Sequence, residues 1–124
     1  MVLLDTSAWV EFFIGNARGR RVREVLRKEP CYTCIVSIAE AANWALKEKR
    51  DPKLLLGIIE KLSIVINMDR DLSALAGKLN FNRKQRNKKW GMLDSFILAT
   101  GLSYGLKILT KDSDFEDVEN SELI

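Results

Sequence analysis

Gly91-Met92-Leu93-Asp94-Ser95-Phe96-Ile97-Leu98-Ala99-Thr100-Gly101 is an apolar helical run with a single acid, Asp94, at its head. A carboxylate there can be an ordinary helix-start residue, accepting from free backbone N–H groups and opposing the positive end of the dipole. Three other acids occupy comparable places. Asp5 ends an apolar strand at the N-terminus, Glu40 opens a helix after a second strand, and Asp112 follows a later one. An acid at the end of one strand after another predicts a carboxylate cluster in a short α/β chain.

The segment before this run, Asn82 to Trp90, carries Arg83, Lys84, Arg86, Lys88 and Lys89 with no acid, and reads as a basic surface segment. After the run come a strand over Lys107 to Thr110, an acidic turn and a short final strand, Glu122 to Ile124. At the other end, Val2 to Leu4 is a continuous apolar run, as expected of a buried parallel strand. Asp5-Thr6-Ser7 offers capping residues for a helix carrying Trp9, Phe12 and Phe13 on one face, stopped by Gly15-Asn16. A second helix is expected over Gly19 to Lys28, ended by Pro30, with Arg18, Arg20, Arg21 and Arg23 near its start. Cys31 to Val36 reads as the second strand. Ser37-Ile38-Ala39-Glu40 matches the S-x-x-E capping box and predicts a helix to about Lys49. Asp51-Pro52 starts the next helix, with Leu55, Ile58, Ile59 and Leu62 as its stripe. Ser63 to Asn67 is a third strand, and Asp71 to about Phe81 is helical.

Strands alternating with helices imply one α/β domain with a mainly parallel sheet covered on both faces, since parallel strands need crossovers. Ligands in such sheets bind beyond the carboxyl ends of the strands. Asp5 and Asp112 lie at that edge, with Glu40 a short turn past it.

Composition narrows the chemistry. The 124 residues are 47% hydrophobic, enough for one domain over residues 1–124 with one core. No apolar run is long enough to span a bilayer, and the N-terminus lacks a basic n-region and cleavage site, so the chain reads as cytoplasmic. Histidine is absent, which excludes a Ser-His-Asp triad, a His general base and a His-bound zinc. Cys31-Tyr32-Thr33-Cys34 matches C-x-x-C, but it heads a strand rather than a helix, and residues three apart there point to opposite faces. It reads as structural. The net charge of +3 is small but unevenly spread.

Clustered carboxylates need a reason, because two unit charges about 4 Å apart repel by roughly 4 kcal/mol at an effective dielectric of 20. They raise one another's pKa values or recruit a cation. Hard oxygen donors without thiolate or imidazole suit Mg²⁺ or Mn²⁺, which activate water and stabilise charge developing on a phosphodiester.

These residues carry a resemblance. Leu3-Leu4-Asp5-Thr6-Ser7, Ser37-Ile38-Ala39-Glu40, Gly91-Met92-Leu93-Asp94-Ser95-Phe96-Ile97 and Leu109-Thr110-Lys111-Asp112-Ser113-Asp114-Phe115, in that order and spacing, resemble the PIN-domain nucleases. Within them the chain looks like the VapC-type toxins of toxin–antitoxin pairs. The resemblance spans nearly the whole chain and implies a three-layer α/β/α PIN-like fold and Mg²⁺- or Mn²⁺-dependent endoribonuclease activity. By it, Asp5, Glu40, Asp94 and Asp112 are the catalytic, metal-holding acids, and Thr6, Ser7 and Ser95 are supporting polar groups. Asp112 is favoured over Asp114 as the fourth acid. The resemblance also implies an RNA substrate, a VapB-like protein antitoxin from another chain, and a homodimer.

The basic segment fits that reading, since Arg83, Lys84, Arg86, Lys88 and Lys89 could neutralise phosphates. Trp90 could stack on an unpaired base, though core packing is favoured. Two alternatives compete. One is a PIN-fold RNA-binding or RNA-processing module outside a toxin–antitoxin pair. The other is a phosphoryl-accepting receiver domain with Lys111 as its lysine, but that needs an acidic pair after the first strand, where only Asp5 stands.

Overall fold

The computed structural model describes residues 1–124. All three residues of the first strand, β1 (Val2–Leu4), are buried, because both faces of the sheet are covered. Val2 and Leu4 point into one core, with Trp9, Val22, Ala41 and Ile59, while Leu3 points into the other, with Trp90, Ile97 and Phe115. Continuous hydrophobicity in a strand thus reports two cores, one for each side of the pleat.

The chain continues through α1 (Thr6–Ile14), α2 (Ala17–Lys28), β2 (Cys31–Cys34), α3 (Ile35–Lys47), α4 (Pro52–Leu62), β3 (Ile64–Ile66), α5 (Arg70–Lys84), α6 (Met92–Tyr104) and β4 (Lys107–Thr110). A single 3₁₀ turn, Ser113–Phe115, precedes β5 (Ser121–Leu123). The strands form one sheet in the order β3-β2-β1-β4-β5, and every pairing is parallel. Residues of α1 to α4 build the core on one face, and those of α5 and α6 the core on the other. The result is the expected three-layer α/β/α architecture.

The two-sided covering follows from handedness. From β1 to β2 to β3 the chain steps outward in one direction, with its helices on one face. It then returns past β1 to place β4 on the far side, and a right-handed crossover in the reverse direction must pass over the opposite face. The strand order therefore reverses between β1 and β4. That is where a crevice opens at the carboxyl ends of the strands.

Several boundaries differ from expectation by a few residues, among them the starts of α2 at Ala17 and of β5 at Ser121, and the boundaries of β2, α3 and α5 bear on the site. The second strand stops at Cys34 rather than Val36, and α3 begins at once, with Cys34 as its N-cap. Ser37 therefore lies in the first turn of α3, fully buried, and Ser37 and Glu40 do not form a capping box. The β-branched Ile35 and Val36 made a strand plausible, but packing decides for helix. The helix α5 starts at Arg70 behind Asp69, whose Oδ1 accepts from Leu72 N at 2.8 Å. It runs on to Lys84, taking in the start of the basic segment, because Arg and Lys are good helix formers and no Gly or Pro interrupts them.

Other local expectations hold. Gly15 ends α1 at φ 79°, a left-handed conformation that favours glycine. Asp51 caps α4, with Pro52 in its first turn. Cys31 and Cys34 are buried, unpaired and in opposite cores. Burial, with Glu29 nearby, pushes the Cys31 thiol up to about 11, so it is not a reactive thiolate. No helix is long and apolar enough to cross a membrane.

Candidate active site

Asp5 leaves β1 directly into α1 and is 6% exposed. A carboxylate this buried must be fully hydrogen-bonded or neutral. Its Oδ2 accepts from Thr110 Oγ1 at 2.7 Å and from Ser7 Oγ at 2.8 Å. Each of those hydroxyls accepts in turn from a backbone N–H of the loop after β4. Lys111 N donates to Ser7 Oγ at 2.9 Å, and Asp112 N donates to Thr110 Oγ1 at 3.0 Å. Two chains of hydrogen bonds thus run from the loop through a hydroxyl onto one carboxylate oxygen, and each bond polarises the next. They fix Asp5 against the segment that carries Asp112.

Asp112 initiates the 3₁₀ turn, its Oδ1 accepting from Asp114 N at 2.9 Å. Glu40 projects from the second turn of α3, where Thr6 Oγ1 lies 2.6 Å from Glu40 Oε1 and 2.8 Å from Ser37 Oγ. The single Thr6 proton goes to the carboxylate, the stronger acceptor, so Thr6 aims Glu40 from α1. Asp94 sits in the first turn of α6, with Oδ2 accepting from Gly91 N at 3.1 Å. It does serve its helix start, and it also lines the cleft.

Asp5, Glu40, Asp94 and Asp112 all line one cleft of about 580 Å³, together with Thr6, Ser7, Glu11, Asn43, Trp44 and Lys111. The cleft lies at the reversal of strand order. Burial is the main reason that Asp5, Glu40 and Asp94 all have raised pKa values, and neighbouring carboxylates add to it. Asp94 is pushed up to about 6, by burial first, and then by Asp5, Asp112 and Glu40, against the lowering effect of Gly91 N–H. One carboxyl group that feels the other three describes a shared electrostatic site.

Not every anticipated group faces this cleft. Ser95 is fully buried and accepts from Trp90 Nε1 at 2.6 Å, so it anchors the indole rather than touching the acids. Asp114 accepts from Asn87 Nδ2 at 3.1 Å and lines a separate polar pocket with Arg83 and Asp117. Within the basic segment, Arg83 is engaged internally. Its guanidinium lies 4.0 Å from the Trp90 ring centroid and its Nη2 donates to Asp117 Oδ1 at 2.8 Å. Trp90 is itself fully buried, whereas Lys84, Arg86, Lys88 and Lys89 are exposed.

Thr110, buried behind the cleft, and several residues that line it, Glu11, Asn43 and Trp44 among them, went unmarked as site members in the sequence. Thr110 was legible only as part of the strand, although its place two residues before Asp112 is the signal. Glu11, Asn43 and Trp44 carry no local signal, since they reach the cleft from the interiors of α1 and α3.

A PIN-domain family model matches residues 2–120 of the chain. The chain belongs to the PIN-domain family. The chain is 28% identical over 120 residues to ribonuclease VapC11 of Mycobacterium tuberculosis, covering 94% of this chain and 90% of that one. It is equally similar to a VapC ribonuclease of Mycobacterium bovis, at 28% over the same share of each chain. Among solved structures, the PIN fold is shared with M. tuberculosis VapC20, a sarcin–ricin loop cleaving toxin, at a TM-score of 0.78 and 17% identity over 96% of this chain and 95% of that one. It is shared as well with a chain of a toxin–antitoxin complex from Klebsiella pneumoniae, at 0.77 and 20% over 98% and 96%.

Proposed function

We propose that this PIN protein is a VapC-type endoribonuclease toxin that hydrolyses RNA phosphodiester bonds at the cleft formed by Asp5, Glu40, Asp94 and Asp112. The observation that carries this reading is the convergence of those acids, from four separate elements, at the point where strand order reverses. The similarity to VapC ribonucleases over nearly the whole chain supports it.

The donor chemistry fits Mg²⁺ or Mn²⁺. The cleft offers carboxylate and hydroxyl oxygens, with no imidazole or thiolate among its lining residues. No three of the acids stand close enough to enclose an ion by themselves. Mg²⁺ keeps several of its waters and needs only one or two carboxylates directly, so an open group of acids is compatible with it. The four acids would hold it, and when bound it would lower the pKa of water and neutralise charge on the phosphodiester. The chain's own contribution is preorganisation. Ser7 and Thr110 keep Asp5 oriented, Thr6 aims Glu40, and Gly91 N–H fixes Asp94.

Lys84, Arg86, Lys88 and Lys89 form an exposed basic flank leading into Gly91 and Asp94, suited to RNA phosphates. Arg83 acts there by holding Trp90. The likeness to toxin–antitoxin assemblies supports a protein antitoxin of VapB type supplied by another chain, and homodimerisation belongs to the same reading.

Cleavage of a mixed RNA substrate by purified protein, with Mg²⁺ or Mn²⁺ and with EDTA, tests the proposal. Metal-dependent cutting that Asp94→Asn abolishes is the expected result. A folded, antitoxin-free protein that cuts under neither metal would favour a PIN module that binds RNA without cleaving it.

A further inference from the structure

The cleft carries five carboxylates, Asp5, Glu11, Glu40, Asp94 and Asp112, and one cation, Lys111. RNA must bring a phosphate into that negative field, and four of the acids are accounted for above. Glu11 and Lys111 are not. Glu11 lies on α1 with only 3% of its surface exposed, and Lys111 follows β4 immediately before Asp112. Lys111 Nζ is 3.6 Å from Glu11 Oε1. The same oxygen accepts from Asn16 Nδ2 at 3.1 Å and lies 4.0 Å from Arg18 Nη1. A buried carboxylate held from α1 and α2 therefore anchors a half-exposed ammonium at the cleft mouth. At 3.6 Å the contact is a charge pair and not a hydrogen bond. The ammonium therefore keeps its donors for another acceptor. The backbone N–H of Lys111, meanwhile, is tied to Ser7 and through it to Asp5. The lysine is in register with the acids at its backbone and at its head.

We propose that Lys111, positioned by Glu11, contacts a phosphate of the RNA strand at the mouth of the acid cleft and sets its register against Asp5 and Asp112. This rests on the ribonuclease reading above. A phosphate contact of this kind adds affinity without sequence preference, and the salt dependence of binding records it.

The test measures binding of a fluorescent single-stranded RNA across a KCl series in EDTA, with Asp94→Asn as the cleavage-deficient background. Adding Lys111→Ala should weaken binding several-fold and flatten the plot of log affinity against log salt by about 0.7 to 1. Lys111→Arg should restore the slope. Lys107, at the opposite end of the same strand, is the matched control, because Lys107→Ala removes the same charge from the wrong place. An unchanged slope in Lys111→Ala, or an equal loss in Lys107→Ala, would overturn the contact while leaving the nuclease reading intact. Failure of the Asp94→Asn protein to bind RNA at all would remove both. Glu11→Gln keeps the ammonium but releases it. It should retain the slope and lower kcat for cleavage, and an unchanged kcat would exclude the positioning role of Glu11.

Discussion

Asp94 combines two demands that pull in opposite directions. Its carboxylate supports the start of α6 through Gly91 N, yet it stands half-buried among three other acids. Its pKa rises from 3.8 to about 6, chiefly by burial. A carboxyl raised in the folded state binds more protons than in the unfolded chain between those values, so stability falls as pH rises through that window. The contribution is present below pH 4 and lost above about pH 6. Asp94→Asn keeps the acceptor for Gly91 N and removes the charge. In EDTA at pH 7.5 it should stabilise the protein by about 1–2 kcal/mol, after allowing for solvent screening, with no gain at pH 4. Urea denaturation at the two pH values measures this, and equal effects at both would refute the electrostatic origin. Thr110 makes the complementary case. Fully buried, it gives a proton to Asp5 and takes one from Asp112 N. Thr110→Val retains the shape and loses both bonds, so cleavage should drop by about 10- to 100-fold, as for groups that orient metal ligands. A variant with parental rates would mean that Asp5 needs no such orientation.

The helices carry the site only if they pack at the right separations, and two glycines show how differently they depend on packing. Gly19 on α2 faces the backbone of α1 so closely that an added Cβ would fall 2.1 Å from Glu11 O. Gly19→Ala must push the two helices apart, destabilising the fold by about 1–3 kcal/mol or more and disturbing Glu11. Gly57 in α4 faces open space, so Gly57→Ala should stabilise by up to about 1 kcal/mol through helix propensity. Thermal melts of the pair give the comparison, and Gly19→Ala with a parental Tm would contradict the close packing. Elements are also the scale at which sequence reading succeeds and slips. The strands announced themselves as short apolar runs, and Asp51-Pro52 and Gly15 marked helix ends by chemistry that acts within a few residues. The boundary between β2 and α3 was hidden, since Ile35 and Val36 suit either state and only the packing of Ser37 against Thr6 decides. The extension of α5 through Arg83 accords with the helix propensity of Arg and Lys, but the pairing of Arg83 with Asp117 was hidden, because it joins segments distant in the chain.

Over the whole molecule, function follows from the order of the strands. The outward march from β1 to β3 and the return to β4 leave one seam in the sheet, and Asp5 and Asp112 flank it. Crossover helices bring Glu40, in the second turn of α3, and Asp94, in the first turn of α6, to the same edge, and the positive end of the α6 dipole tolerates the charge of Asp94. The four site acids stood out in the sequence, Asp5 and Asp112 after apolar strands and Glu40 and Asp94 near the starts of helices. The Glu11–Lys111 pair and the Trp44 wall did not, because they meet only through space. The apo protein is accordingly expected to hold repulsion that a cation relieves. Direct Mn²⁺ titration followed by electron paramagnetic resonance tests this most directly, using the parent and the single variants Asp5→Asn, Glu40→Gln, Asp94→Asn, Asp112→Asn and Asp114→Asn. The parent should bind Mn²⁺, the first four variants should bind it more weakly, and Asp114→Asn should match the parent. A parent that binds no Mn²⁺, or an Asp114→Asn loss as large as that of Asp112→Asn, would contradict the assignment of the cleft.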